Sequence, residues 1–77
     1  MRIVEQIHHS TFRIVLYTTQ THYIVELEAG PMRQAYKYDK DKFPDVPSVK
    51  NTLTEEWLEE LRVIFNDMYT KWSATSN

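Results

Sequence analysis

The sequence predicts an α+β fold: one antiparallel β-meander of three to four strands, in order 1-2-3-4, with a long C-terminal amphipathic helix packed on one face. Three observations predict it. Apolar residues alternate with a period of two through the first half, turn-forming residues interrupt that alternation at short intervals, and the period changes to that of a helix near the end. At 77 residues the chain is a single domain, 1–77. Hydrophobic content of 42% with 26% charged residues sets it among globular rather than disordered sequences.

The first strand spans about 2–8. A turn centred on His9-Ser10 would place Ile3 and Ile7 on the core face with Glu5 between them. An inward charge on an edge strand discourages edge-to-edge aggregation, and a bulge turning Glu5 outward is the alternative. The second strand, about 12–18, alternates Phe12, Ile14 and Leu16 with Arg13, Val15 and Tyr17. The third, about 22–29, alternates Tyr23, Val25 and Leu27 with Ile24, Glu26 and Glu28. A turn centred on Thr19-Gln20 would set Leu16 opposite Tyr23, Ile14 opposite Val25 and Phe12 opposite Leu27, with Arg13 facing Glu26 and Val15 facing Ile24 on the other side. Gly30, the only glycine, and Pro31 make the next turn. Centring there pairs Val25 with Tyr36, Tyr23 with Tyr38 and Glu28 with Arg33, which defines the fourth strand, about 32–38.

Residues 39–53 form a return loop across one end of the sheet, anchored by Phe43, Val46 and Val49. The helix then spans about 54–72. Trp57, Leu58, Leu61, Ile64, Phe65, Met68, Tyr69 and Trp72 cover an arc of roughly 140° at helical spacing, a stripe wide enough to pack on a sheet. Thr54 is the expected N-cap, with Thr52 the competing one, and Glu55 and Glu56 suit the positive end of the helix dipole. Leu53 and Leu58 occupy hydrophobic-staple positions. Val63 alone points into the polar face, and the tail, 73–77, is expected to fray.

Composition narrows function by exclusion. No cysteine is present, which removes disulfides and cysteine chemistry and fits a reducing, cytoplasmic setting. No apolar run approaches the roughly 20 residues that span a bilayer, and charges at Arg2 and Glu5 interrupt any signal-peptide core, so no membrane association is expected. A net charge of −2 offers no general attraction to nucleic acid. The charge is uneven, however: residues 32–50 carry five bases against three acids, whereas residues 51–77 carry two bases against five acids.

No motif names a reaction. The meander sets His8 and His9 about 20 Å or more from His22, too far for a shared metal. One glycine cannot build a phosphate-cradling loop. Glu26 and Glu28 lie near Arg13, Arg33 and Lys37, which favours ionised carboxylates over a general acid. The chain therefore reads as non-enzymatic, with no catalytic residues, metal or cofactor.

Four surfaces remain. The sheet face opposite the helix would expose Val4, Val15, Tyr17, Ile24 and Ala35 within a rim of Arg13, Glu26, Glu28, Arg33 and Lys37, an apolar centre of the kind found at protein interfaces. Arg13, Val15, Tyr17, Ile24 and Glu26 are the candidate contact residues for a protein partner, making the chain a small regulator, inhibitor or adaptor. A homodimer is also expected, because so small a core without disulfides gains from self-association. Arg33, Lys37, Lys40 and Lys42 are the alternative, a nucleic-acid-binding strand, weakened because Tyr36 and Tyr38 point to the opposite face from Arg33 and Lys37. The acidic helix face of Glu55, Glu56, Glu59, Glu60 and Asp67 could engage a basic partner. Pro44-Asp45-Val46-Pro47 has P-x-x-P spacing, which a partner could read as polyproline II.

Overall fold

A computed structural model describes residues 1–75. The elements run β1 (Arg2–His8), β2 (Arg13–Thr18), β3 (His22–Ala29), β4 (Met32–Asp39), α1 (Val46–Lys50) and α2 (Glu55–Thr75). The four strands form one antiparallel sheet in the order β1-β2-β3-β4, and the long helix covers one face. The α+β meander expected from the alternation is the architecture present.

The core is the layer between sheet and helix. Phe12, Ile14 and Leu16 from β2 and its approach, Val25 and Leu27 from β3, and Leu58, Leu61 and Phe65 from α2 are all buried, as is Val49 of α1. Phe43 and Val46 pack against this cluster, so with the buried Val49 the return segment is anchored by the three apolar residues expected to anchor it, and Leu53 joins them.

Register is right at one turn and displaced at two. Gly30 adopts φ +58°, the left-handed backbone that glycine takes without a Cβ penalty. With Pro31 it makes a two-residue hairpin loop closed by Ala29 and Met32, which pairs Val25 with Tyr36, Tyr23 with Tyr38 and Glu28 with Arg33, as the sequence implies. Between β2 and β3 the pairing is two residues away from the expected one. Leu16 faces Val25, Ile14 faces Leu27, Arg13 faces Glu28, and Val15 faces Glu26. The loop is longer because Thr19 organises it: its N–H donates to the His22 carbonyl at 2.9 Å, and its hydroxyl accepts from the His22 N–H at 3.0 Å. A shift of two keeps every side chain on its predicted face.

The β1–β2 pairing departs further. Ile7 faces Ile14 and Glu5 faces Leu16, but a bulge between Ile3 and Glu5 sets Ile3 opposite Tyr17. Ile3 therefore lies on the outer face rather than the core face. Glu5 stays on the helix side, where Lys50 at the end of α1 meets its carboxylate at 2.7 Å. The bulge thus turns the isoleucine outward, not the glutamate, and the inward charge has a counter-ion.

Two further corrections concern helices. The return segment, expected as a loop over 39–53, contains α1. Asp45 caps it through a capping box, its Oδ1 accepting from the Ser48 N–H at 3.0 Å while the Asp45 N–H faces Ser48 Oγ at 3.4 Å. Pro47 sits in the first turn, where a missing N–H costs little. The P-x-x-P stretch is therefore partly helical and does not present a polyproline II ligand. At the other end, α2 continues to Thr75, so residues 73–75 are helical rather than frayed; the expected fraying of Ser76 and Asn77 lies outside the described residues. Its N-cap is Thr54, whose Oγ1 accepts from the Trp57 N–H at 3.1 Å. Thr52 instead bonds the Tyr38 hydroxyl and the Val49 carbonyl.

The apolar stripe of α2 outruns its sheet. Leu61 is 3% exposed, but Ile64 is 46%, Tyr69 51% and Trp72 45% exposed, so the second half of the stripe is only partly covered. Contacts to the sheet run as far as Phe65 on Phe12 and Met68 Sδ on Gln34.

Candidate interaction surfaces

The registers arrange the outer sheet face in rows across all four strands. One row reads Ile3, Tyr17, Ile24, Lys37; the next Gln6, Val15, Glu26, Ala35; the third His8, Arg13, Glu28, Arg33. An apolar row therefore lies toward the Thr18–Tyr23 end and a charged row toward the opposite end. Ile3 is 52% exposed and the adjacent bulge residue Val4 is exposed as well, while Tyr17 and Ile24 are half-buried. Val15, expected as an exposed contact, is only 7% exposed. It sits between Gln6 and Glu26, with Arg13 and Tyr17 on its own strand, and these longer side chains cover it. Val15 supports the surface rather than forming it, and Ile3, which the sequence reading placed in the core, takes its place.

Arg33 links the charged row to the middle one. The Arg33 guanidinium lies 3.7 Å from Glu26 and 3.6 Å from Glu28, so one positive charge is shared between the two strand glutamates. At such exposed positions these pairs set the charge pattern of the face more than they stabilise the fold.

The basic strand residues do not gather into one surface. Arg33 and Lys37 are exposed on the outer face, whereas Tyr36 and Tyr38 stand on the helix side, Tyr36 against Trp57 and Tyr38 against Phe43, with ring centroids 5.4 and 5.0 Å apart. Burial first, and then the neighbouring Tyr38, push the Tyr36 phenol above its ordinary pKa. Lys40 donates to the Thr19 carbonyl at 2.6 Å and lies over the Tyr23 ring, so it is held in the β2–β3 loop. Lys42 is exposed at the following turn. Within β4 the rings and the charges thus stand on opposite faces, and the ring–cation contact of Lys40 over Tyr23 lies at the β2–β3 loop.

His9 is more embedded than a turn histidine is expected to be. Its side chain is 16% exposed and stacks on Phe12 with centroids 5.5 Å apart. The Thr11 N–H donates to Nδ1 at 3.1 Å, which leaves the proton of the neutral ring on Nε2, 3.4 Å from the Glu55 carboxylate. Nδ1 thus closes the β1–β2 turn on itself, and Nε2 ties that turn to the start of α2. The signal for this role was Phe12 three residues on, an apolar ring for the imidazole to lie against. The turn also borders an open concavity of about 460 Å³ walled by residues 6–14. Among the described residues no three His, Asp or Glu side chains come together as a metal site, and no helix is long and apolar enough to cross a membrane.

Two members of the acidic helix face are paired within the helix. Glu59 accepts from Arg62 at 2.9 and 2.6 Å, and Lys71 lies 2.7 Å from Asp67. The Arg62 hydrogen bond holds the Glu59 carboxyl below its usual pKa.

Fold and topology together define the class: a small α+β domain, a four-stranded antiparallel meander with one long helix on one face. No protein-family model, curated protein or solved structure matches this chain.

Proposed function

We propose that the chain is a non-enzymatic protein–protein interaction module, a regulator, inhibitor or adaptor, that engages its partner through the outer sheet face. The observation that supports this reading is the row Ile3, Tyr17, Ile24, half-buried to exposed, beside a row of paired charges. A contact with an apolar stripe and a polar flank of both signs suits a partner of the same build. Tyr17 is the side chain best placed as an anchor, being a large amphipathic ring at the middle of the row. The absence of cysteine is consistent with a cytoplasmic setting.

Ile3→Asp and Tyr17→Ala test this. Both positions lie opposite the core layer, so each variant keeps its far-UV circular dichroism and its thermal midpoint within a few degrees, and loses the protein captured by the wild-type chain from lysate of the native host. Variants that unfold would show that the face is core. Capture that survives both changes would move the contact elsewhere, and salt-dependent capture of nucleic acid would replace the reading with the basic-strand one.

A further inference from the structure

We infer that β4 is a self-complementary edge through which two copies of this chain join their sheets into one eight-stranded sheet. This surface is separate from the outer-face contact proposed above and stands independently of it.

The two edges of the sheet are built differently. β1 is broken by the bulge beside Val4 and carries Glu5 inward, both of which obstruct strand addition. β4 runs eight residues, Met32 to Asp39, in unbroken register with β3. The two-residue turn at Gly30-Pro31 fixes which of its backbone groups are free. The turn bonds Ala29 to Met32, and antiparallel pairs alternate between bonded and non-bonded. Met32, Gln34, Tyr36 and Tyr38 thus bond to β3, whereas Arg33, Ala35 and Lys37 turn both their N–H and C=O groups to the open edge and Asp39 contributes its N–H alone, its carbonyl being taken by the following turn. The neighbouring bonds agree. The Lys40 N–H reaches back to Thr21 at 3.1 Å, while the Asp39 carbonyl faces away and accepts from the Lys42 and Phe43 N–H groups.

A second copy related by a two-fold axis at Tyr36 meets this edge residue for residue. Arg33 then opposes Asp39 of the second copy, and Ala35 opposes Lys37 of the second copy, each twice. Across the joined outer face the signs alternate: Glu28, Arg33, then Asp39 of the copy in one row; Glu26, Ala35, then Lys37 of the copy in the next. Ala35 is the smallest side chain on the strand, so that lysine can extend over it toward Glu26. The adjacent registers that keep the faces matched are worse. An axis at Ala35 sets Arg33 against Lys37 twice, and an axis at Lys37 sets that lysine against itself.

The helix supplies a second, independent feature. Trp57 rests on Tyr36 and Met68 on Gln34, both in β4, and Ile64 lies on the same stripe between them. It is nevertheless 46% exposed, an aliphatic side chain facing past the β4 edge. The same two-fold axis places both helices on one face of the joined sheet and brings the two Ile64 flanks toward each other.

Sedimentation of the full chain across a concentration series tests the inference. The wild type is expected to dimerise. Ala35→Pro removes an edge N–H that no bond within the monomer uses, so it should keep the circular dichroism spectrum and abolish the dimer. Asp39→Arg and Arg33→Asp each set two like-charged pairs across the axis, and each should weaken self-association roughly tenfold. Mixing those two variants restores opposite charges in both pairs and should recover association as a heterodimer. A wild type that stays monomeric up to roughly 1 mM overturns the inference. So does a dimer indifferent to Ala35→Pro, or a mixture no stronger than its components. Ile3→Asp and Tyr17→Ala leave this dimer intact, so the two proposals fail separately.

Discussion

Leu61 and Ile64 are one turn apart on the same apolar stripe, and by pattern alone they are equivalent. The structure makes them unequal, with Leu61 at 3% exposure beneath the sheet and Ile64 at 46%. Truncating Leu61 to Ala removes a fully buried side chain and leaves a cavity among Phe12, Phe65 and the β2–β3 aliphatics, a loss of about 3 kcal/mol. A domain of 77 residues has about 4 to 11 kcal/mol in total, so this is a large fraction of it. Ile64→Ala removes a side chain whose transfer from water is about half complete, worth about 1 kcal/mol. Alanine's better helix propensity returns a few tenths of that, roughly 0.4 kcal/mol. The net loss is therefore about 0.5 kcal/mol. Urea unfolding at low micromolar concentration, where self-association does not contribute, separates the two. With a slope of about 1 kcal/mol/M for so small a chain, Leu61→Ala moves the midpoint by about 3 M and Ile64→Ala by about 0.5 M. Equal shifts would mean that α2 is rotated on the sheet and that the assigned core is wrong.

Other expectations follow from single contacts. Gly30→Ala meets no neighbouring atom but places a Cβ at φ +58°, so a loss of about 1 kcal/mol or more in thermal denaturation is expected from backbone strain alone. Lys50→Ala breaks an ion pair whose two side chains are both about two-fifths exposed, and should cost about 0.5 kcal/mol in dilute buffer and less in 1 M salt. Because Arg62 holds the Glu59 carboxyl low, that pair stabilises the fold above the ordinary carboxylate range and ceases to as pH falls through the folded value. A carboxyl-detected NMR titration should find Glu59 titrating below the ordinary glutamate value, and Arg62→Ala should abolish the depression. Tyr36 has the opposite sign. Its raised phenol pKa means that the unfolded chain ionises first, so stability falls as pH rises above about 10, and Tyr36→Phe should shift alkaline unfolding to higher pH.

The sequence carried the faces of the sheet well and its pairings less well, for a physical reason. Alternation reports which side a residue points to, and a displacement of two residues preserves that side. The β2–β3 pairing could thus be off by two while Ile14, Leu16, Val25 and Leu27 all still reached the core. Only Gly30-Pro31, whose backbone demands one loop length, specified a register outright. The bulge at Val4 shifts one residue rather than two, which is why Ile3 alone changed sides. The short helix α1 was legible in Asp45 and Ser48 at capping-box spacing, but Pro44 and Pro47 beside them read as loop signals. Of the candidate contact residues, Tyr17, Ile24, Arg13 and Glu26 lie on the expected face. Val15 shows what the pattern omits: it gives direction, while depth depends on how long the neighbours are.

The helix that outlasts its sheet has a consequence for how the molecule opens. From Glu55 to Met68, α2 is held by a capped N-terminus, acidic residues in its first turn and the buried layer beneath it. From Tyr69 to Thr75 the last described turn holds no basic residue, and the Tyr69 and Trp72 rings pack on each other along the helix, tilted and 5.7 Å apart. One continuous helix therefore spans two stability regimes. Amide exchange should rise steeply within about two turns beyond Met68, the terminal amides exchanging through local unwinding and those near Leu61 only through global unfolding.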